Sequence, residues 1–137
     1  MSGHLLDTNI ASHVIRGDHP GISRRLASLP MADIFVSVVT EGELLYGLAK
    51  RNYPAGLTER VRQFLLRVDV LNWDREAAQS YADLRASGER KGVTLAPLDM
   101  MIAAHAVAGK MALVTRDKAF FKFADSVRLE DWSDGGA

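Results

Sequence analysis

The chain of 137 residues contains no cysteine. This absence excludes disulfide bonds, zinc–thiolate centres and a thiol nucleophile. No apolar run approaches the roughly 20 residues of a membrane-spanning helix. The start of the sequence also lacks the basic and then apolar pattern of a secretory signal. We therefore expect a cytoplasmic protein that has no contact with a membrane.

The chain also lacks net charge, because 17 basic residues balance 17 acidic ones. Tight and non-specific binding to nucleic acid requires a basic surface, which this composition does not provide. Neutrality is still compatible with an enzyme that holds RNA briefly through a local basic patch. The sequence has no glycine-rich phosphate loop, no nucleophile elbow and no Asp-x-Asp phosphatase signature.

Short apolar segments alternate along the chain with amphipathic ones. The pattern predicts strands over residues 4–6, 34–39, 70–71, 112–115 and 127–129. It predicts helices over residues 8–16, 22–29, 40–50, 58–68, 74–91 and 99–108, and a helical turn over 118–123. Strands that alternate with helices indicate an α/β fold with a parallel sheet. We expect one domain over residues 1–132 and a flexible C-terminal tail over 133–137.

The most informative residues present are four carboxylates: Asp7, Glu43, Asp99 and Asp117. Asp7 follows the first predicted strand and Asp117 follows the fourth. In an open parallel sheet the ligand crevice lies beyond the carboxyl ends of the strands, so we expect these two acids to meet there. Clustered carboxylates raise one another's pKa, and a hard divalent cation such as Mg²⁺ or Mn²⁺ relieves their repulsion. The pattern predicts metal-assisted chemistry on a phosphate ester.

Each of these acids also has a purely structural interpretation. Asp7 and Asp99 lie where predicted helices begin and are typical N-caps, while Asp117 is typical of a turn. The segment from Thr40 to Glu43 fits a capping box, in which the two residues bond reciprocally. His105 is interpreted in the same way, as a packed and hydrogen-bonded residue. A structural role and metal binding are compatible for each acid.

Several segments together carry a resemblance to a known family. They are Leu5-Leu6-Asp7-Thr8-Asn9-Ile10, Ser37-Val38-Val39-Thr40 with Glu43-Leu44 and Gly47, Pro97-Leu98-Asp99 with Ile102-Ala103-Ala104-His105-Ala106, Leu113-Val114-Thr115-Arg116-Asp117 with Phe120, and the ending Val127-Arg128-Leu129-Glu130-Asp131-Trp132. In this order they resemble the motifs of PIN-domain proteins, and within that family those of VapC toxins of bacterial type II toxin–antitoxin pairs. The resemblance implies a three-layer α/β/α fold with a five-stranded parallel sheet and Mg²⁺-dependent cleavage of RNA.

The resemblance also implies roles for individual residues. Family acids map onto all four carboxylates, which implies that they hold one or two Mg²⁺ or Mn²⁺ ions, Asp117 directly or through water. The neighbours expected to orient these ligands are Thr8, Asn9 and Thr115. The candidates for contact with RNA phosphates are Arg116, Lys118, Lys50 and Arg51. The alternative interpretation is that these cations simply face solvent. This alternative is weakest for Arg116, which replaces an asparagine found in many relatives and suits bidentate phosphate contact.

The expected partners are a structured RNA, with tRNA as a candidate, and a cognate antitoxin. The resemblance implies a homodimer that forms a hetero-oligomer with the antitoxin. Two alternatives stay open at this point. The first is a nuclease of the same fold that acts in RNA maturation or on DNA. The second is a non-catalytic module that binds RNA or protein.

Overall fold

Five strands form one parallel sheet in the computed structural model, which describes residues 3–133. The strands are β1 (His4–Leu6), β2 (Ile34–Ser37), β3 (Asp69–Leu71), β4 (Ala112–Val114) and β5 (Leu129–Glu130). Their order is β3-β2-β1-β4-β5, and every neighbouring pair is parallel. The chain builds outward from β1 to β3 and then returns to the other side of β1. The strand order therefore reverses between β1 and β4.

Helices cover both faces of this sheet. They are α1 (Thr8–Arg16), α2 (Pro20–Ala27), α3 (Val38–Lys50), α4 (Ala55–Arg67), α5 (Arg75–Arg90) and α6 (Pro97–Ala108). Successive strand residues point to opposite faces, so Leu6 packs among α1 to α4 whereas Leu5 packs against α5 and α6. The predicted three-layer α/β/α architecture with a five-stranded parallel sheet is confirmed. None of the helices in residues 3–133 combines the length and apolar character that crossing a membrane demands.

Helix α3 begins earlier than the sequence pattern predicts. The predicted strand over 34–39 ends at Ser37, and Val38 and Val39 belong to α3. The cause is Ser37, whose Oγ accepts the Val39 N–H at 3.0 Å and caps the helix. Thr40 consequently lies inside α3, so the predicted capping box between Thr40 and Glu43 is wrong. The β-branched side chains of Val38 and Val39 favour a strand, but the cap formed by Ser37 places both residues in the helix.

The other differences also fall at the ends of elements. Helix α6 begins at Pro97, which favours a first helical position because its fixed φ suits the helix and its missing N–H is not needed there. The last strand is β5, at Leu129–Glu130, and lies further along the chain than the predicted 127–129. Strand β1, helix α1 and the 3₁₀ turn Lys118–Phe123 have the predicted bounds. Apart from Ser133, the predicted tail 133–137 lies outside the described residues, and its boundary stays a prediction.

His105 ties α6 to the start of α3. Its Nε2 lies 3.0 Å from the carbonyl oxygen of Asn72, and its Nδ1 lies 2.7 Å from Ser37 Oγ. A carbonyl oxygen only accepts, so Nε2 carries the proton and Nδ1 accepts from the Ser37 hydroxyl. The same Ser37 oxygen accepts the Val39 N–H, so every member of this buried chain is satisfied. The predicted role of His105 as a packed and hydrogen-bonded residue is confirmed.

Removing this imidazole should destabilise the fold. We expect His105→Leu to lower the free energy of unfolding by roughly 2–3 kcal/mol, because Ser37 Oγ and the Asn72 carbonyl lose their partner inside the protein. Ser37→Ala breaks the same link from the other side. Urea unfolding of the two single variants and the double variant measures the coupling. The double variant should lose less than the sum, whereas strict additivity would show that the two side chains do not share one interaction.

Candidate active site

The four carboxylates line one cavity of about 510 Å³. Asp7 follows β1 directly, and Asp117 follows β4 after two intervening residues. These are the strands between which the order reverses, so the cavity opens at the carboxyl ends of the sheet as expected. Glu43 reaches the cavity from α3 and Asp99 from α6. The remaining lining residues are Thr8, Asn9, Ser12, Arg116 and Phe120.

Asp7 is buried and serves two purposes. Its Oδ1 accepts the Ile10 N–H at 2.8 Å and caps α1, so the capping interpretation is confirmed together with the cavity position. Burial raises the pKa of Asp7 to about 6. Hydrogen bonds from Thr115 and Ile10 oppose this rise in the pKa, while the charges of Asp99 and Asp117 add to it. A buried carboxylate beside two other acids is a strong attractor for a cation.

Thr8 fixes the orientation of Glu43. The Thr8 hydroxyl donates to Glu43 Oε1 at 2.6 Å, and its oxygen lies 3.0 Å from the buried Thr40 Oγ1. Because Thr8 uses its hydrogen on Glu43, Thr40 donates to the Thr8 oxygen. Two consecutive hydrogen bonds, from Thr40 to Thr8 and from Thr8 to Glu43, therefore hold the Glu43 side chain, and both Thr40 and Glu43 belong to α3. Thr40 supports Glu43 through α1, in place of the reciprocal capping expected from the sequence.

Asp99 and Asp117 occupy different local settings. Asp99 lies in the first turn of α6, whose N-cap position is Ala96, so the capping interpretation of Asp99 is wrong. Burial, with the charges of Glu43 and Asp117, raises the pKa of Asp99. Asp117 caps the 3₁₀ turn through an Ala119 N–H at 2.9 Å, which confirms its interpretation as a turn residue.

Thr115 connects two of the acids from the end of β4. Its side chain is fully buried, and its hydroxyl hydrogen bonds to Asp7. Its Oγ1 also accepts the backbone N–H of Asp117 at 3.0 Å. One hydroxyl thus sets the position of Asp117 relative to Asp7. The structure places Thr115 beneath the carboxylates, in a position consistent with the orienting role expected of it.

The predicted cations do not all reach the cavity. Arg116 is part of its lining. Arg51 lines an adjoining groove that shares Thr8 and Glu43 with the cavity, and its Nη1 donates to the Gly47 carbonyl at 3.1 Å. The Lys50 ammonium lies 5.4 Å from the centre of the Tyr46 ring, and Lys118 opens the 3₁₀ turn outside the lining. RNA contact by these residues stays a prediction.

Sequence reasoning overlooked a polar stripe on α1. Thr8, Ser12 and Arg16 are four residues apart and share one helix face, opposite the apolar face that carries Ile10. Thr8 and Ser12 line the cavity, and all three line the adjoining groove. The helical spacing of these polar residues was a readable signal. His13 was also assigned no role, although it contacts Arg116.

The chemistry of the cavity suits a hard divalent cation. Its titratable donors are carboxylate oxygens, and the described residues that line it include no histidine or cysteine, which favours Mg²⁺ or Mn²⁺ over zinc. Within residues 3–133, no three His, Asp or Glu side chains converge closely enough to hold one ion as they stand. Coordination by three of the acids at once therefore requires rotation of side chains or water between them and the ion.

Comparison with known proteins identifies the class. The profile of the PIN domain matches residues 4–126, and the chain therefore belongs to the PIN-domain family. It is 35% identical over 133 residues to the tRNA(fMet)-specific endonuclease VapC of Shigella flexneri. This alignment covers 97% of this chain and 100% of that protein. The predicted resemblance to VapC is confirmed. Nucleases of the PIN family generally depend on a divalent metal.

Solved structures of VapC-type proteins have the same fold as this chain. The chain is similar to the crystal structure of DNA-bound VapBC from Salmonella typhimurium, with a TM-score of 0.87, 33% identity, and coverage of 96% of this chain and 99% of that one. It is also similar to FitAcB from Neisseria gonorrhoeae, with a TM-score of 0.85, 30% identity and coverage of 96% and 99%. These names support the predicted role as a toxin endoribonuclease with an antitoxin partner.

Proposed function

We propose that the chain is the endoribonuclease toxin of a type II toxin–antitoxin pair and hydrolyses phosphodiester bonds in structured RNA with the aid of Mg²⁺ or Mn²⁺. The observation that carries the proposal is the convergence of Asp7, Glu43, Asp99 and Asp117 in one cavity at the reversal point of the sheet. Among the described residues of the cavity lining there is no histidine to activate Thr8 or Ser12 as a nucleophile. Hydrolysis by water is the reaction that such an arrangement supports.

The four acids are the proposed catalytic and metal-binding residues. When bound, the cation lowers the pKa of a water molecule and stabilises negative charge on the phosphate. Thr8 holds one oxygen of Glu43, and Thr115 holds Asp7 and the backbone of Asp117, while rotation of the other carboxylates or an intervening water would complete the coordination of the ion. Asn9 lines the cavity beside them. The Arg116 guanidinium supplies hydrogen-bond donors for a phosphate at the cavity rim.

The substrate and partner follow from the relatives. The Shigella relative is named for cleavage of tRNA(fMet), and tRNA is accordingly the first substrate class to test for this chain. The solved relatives are VapBC and FitAcB assemblies, which supports a cognate antitoxin encoded beside this protein. A neutral chain binds arbitrary RNA weakly, so selection should depend on RNA shape. A homodimer, a complex with antitoxin and a cytoplasmic location complete the proposal.

Brief expression in a bacterial host tests this function. We expect growth arrest within minutes to hours of induction, together with new RNA ends at one or a few positions when the RNA is sequenced. Asp99→Asn should produce neither effect, and co-expression of the small protein encoded beside the gene should suppress both. New ends without arrest would favour a nuclease of RNA maturation. Wild-type expression that yields no new RNA ends would contradict the proposed activity.

A further inference from the structure

We infer that His13 is a positioning residue that, aligned by Asp18, holds the Arg116 guanidinium at the rim of the acid cavity to receive the substrate phosphate. The inference deepens the proposed function and rests on it. It starts from a contact across the molecule, since His13 Nε2 lies 3.4 Å from Arg116 Nη1 although the two residues are 103 positions apart. His13 lies in the last turn of α1, and Arg116 follows β4.

Gly17 brings Asp18 next to His13. It ends α1 in the left-handed region, with a φ of 65°, and its N–H donates to the His13 carbonyl at 2.8 Å. The chain consequently turns back at once, and Asp18 Oδ1 lies 2.8 Å from His13 Nδ1. The second oxygen, Asp18 Oδ2, accepts from Arg16 Nε at 2.9 Å. Both oxygens of this carboxylate are thereby oriented.

These contacts dictate the tautomer of the neutral His13 ring. Hydrogen bonds from His13 and Arg16 lower the pKa of Asp18 to about 2, so Asp18 is ionised at neutral pH and can only accept. The proton of the neutral ring must therefore lie on Nδ1, which leaves a lone pair on Nε2. A guanidinium can only donate, so Arg116 donates to this lone pair. The result is a directed chain from Arg116 through His13 to Asp18.

Two other groups lie close to the His13 ring. Arg16 Nη2 lies 3.5 Å from His13 Nδ1, but the shorter contact of 2.8 Å from Nδ1 to the Asp18 carboxylate decides the position of the proton, so Arg16 does not donate to Nδ1 and bonds Asp18 through its Nε. The His19 ring meets the His13 ring edge-on at 5.7 Å between centroids, and its own Nδ1 accepts the Ile22 N–H as the cap of α2. The shortest contact of His13 Nδ1 is thus the Asp18 carboxylate, and the contact of Nε2 is the Arg116 guanidinium.

The chain has a consequence for substrate binding. Arg116 is the one cation among the described residues that line the acid cavity. A free arginine side chain samples many rotamers, and fixing it beforehand removes freedom that phosphate binding would otherwise have to remove. Only one N–H of Arg116 is used on His13, so further N–H groups remain for a bidentate phosphate contact.

The ring tautomer provides a test that is independent of RNA cleavage. Long-range ¹H–¹⁵N spectra of the wild-type protein identify which nitrogen of His13 is protonated when the ring carries a single proton. The inference predicts protonated Nδ1 and a lone pair on Nε2, with the Nε2 resonance shifting in Arg116→Ala. A proton on Nε2 would overturn the inference, because Arg116 could not then donate to it.

A pair of near-isosteric variants provides the kinetic test. The amide oxygen of glutamine lies about as far from the backbone as Nε2 of histidine, whereas the side chain of asparagine is shorter by one carbon. Under single-turnover conditions with Mg²⁺ and tRNA, we expect His13→Asn to lower kcat/KM by about tenfold and His13→Gln by about twofold or less. His19→Asn, which keeps the cap of α2, should match the wild type.

A double variant separates positioning from a general structural role. In the Arg116→Ala background, His13→Asn should have about a twofold effect or less, because the residue through which it acts is gone. An equal tenfold loss in both backgrounds would overturn the positioning role even if the wild type cleaves RNA as proposed. A wild type that cleaves no RNA contradicts the proposed function itself. That result would also overturn the role of His13 in positioning Arg116 for the substrate phosphate, whichever ring nitrogen is protonated.

Discussion

Asp99→Asn is expected to abolish Mg²⁺-dependent RNA cleavage, with a loss on the order of 10³-fold or more in the single-turnover rate. Asparagine keeps the shape of the side chain but removes the charge that a divalent cation requires. Asp99 caps no helix, so the substitution breaks no hydrogen bond at the start of α6. Cleavage of a labelled tRNA by purified protein measures the rate, and circular dichroism confirms the fold.

Asp69→Asn is the matched control for this experiment. Asp69 is an exposed carboxylate on β3 and does not line the cavity, so its variant should cleave RNA at the wild-type rate. Asp117→Asn should retain more activity than Asp99→Asn, because Asp117 is the acid that can act through a bound water instead of contacting the metal directly. Full cleavage by Asp99→Asn protein that is free of contaminating nuclease would contradict the mechanism.

Asp7→Asn is expected to stabilise the metal-free protein at neutral pH although it abolishes activity. The pKa of Asp7 is raised from 3.8 to about 6 in the folded protein, so folding favours the protonated form. This contribution to stability is fully present below pH 3.8 and is lost as the pH rises through about 6. A shift of about two pKa units corresponds to roughly 3 kcal/mol as an upper limit. Asparagine resembles the protonated form and can still accept the Ile10 N–H as a cap.

Urea unfolding in chelator at mildly acidic and neutral pH measures this effect. Between pH 5 and pH 7 the wild type should lose roughly 1–1.5 kcal/mol relative to Asp7→Asn, because part of the contribution to stability is already lost at pH 5. At neutral pH the variant should melt about 5–10 °C higher, since each kcal/mol shifts melting by roughly 3–5 °C in a domain of this size. Asp69→Asn again serves as the control and should follow the wild-type profile. Parallel pH profiles for wild type and Asp7→Asn would show that no strain is stored at Asp7.

Local sequence patterns predicted the bounds of an element correctly where residues within or next to that element determine its ends. The apolar residues of β1, the cap at Asp7 and the glycine at position 17 fix α1 by short-range interactions, and its bounds were predicted correctly. The start of α3 was not, because Thr40 with Glu43 offered a fuller capping signature than Ser37 did. The choice between these caps depends on His105, which bonds Ser37 from 68 positions away.

The candidate site shows the same division. The position after a strand explained why Asp7 and Asp117 should meet, but Glu43 and Asp99 lie within helices, for which this argument does not hold. The contacts that orient these groups span 35 residues between Thr8 and Glu43 and 103 between His13 and Arg116. Such contacts depend on the order of strands in the sheet, which local periodicity does not encode. Sequence reasoning therefore named the acids, with Thr8 and Thr115 beside them, but missed the contacts of Thr40 with Thr8 and of His13 with Arg116.

The central claim is that the four carboxylates hold a divalent cation in the folded protein, and thermal melting in chelator and then in metal tests it most directly. A cation that binds only the folded state at about 100 times its dissociation constant contributes roughly 2.7 kcal/mol. The wild type should therefore melt about 10 °C higher in saturating Mn²⁺ or Mg²⁺, and Asp99→Asn should gain much less. A wild type that shows no shift even in millimolar Mn²⁺ would contradict the claim and favour a non-catalytic binding module.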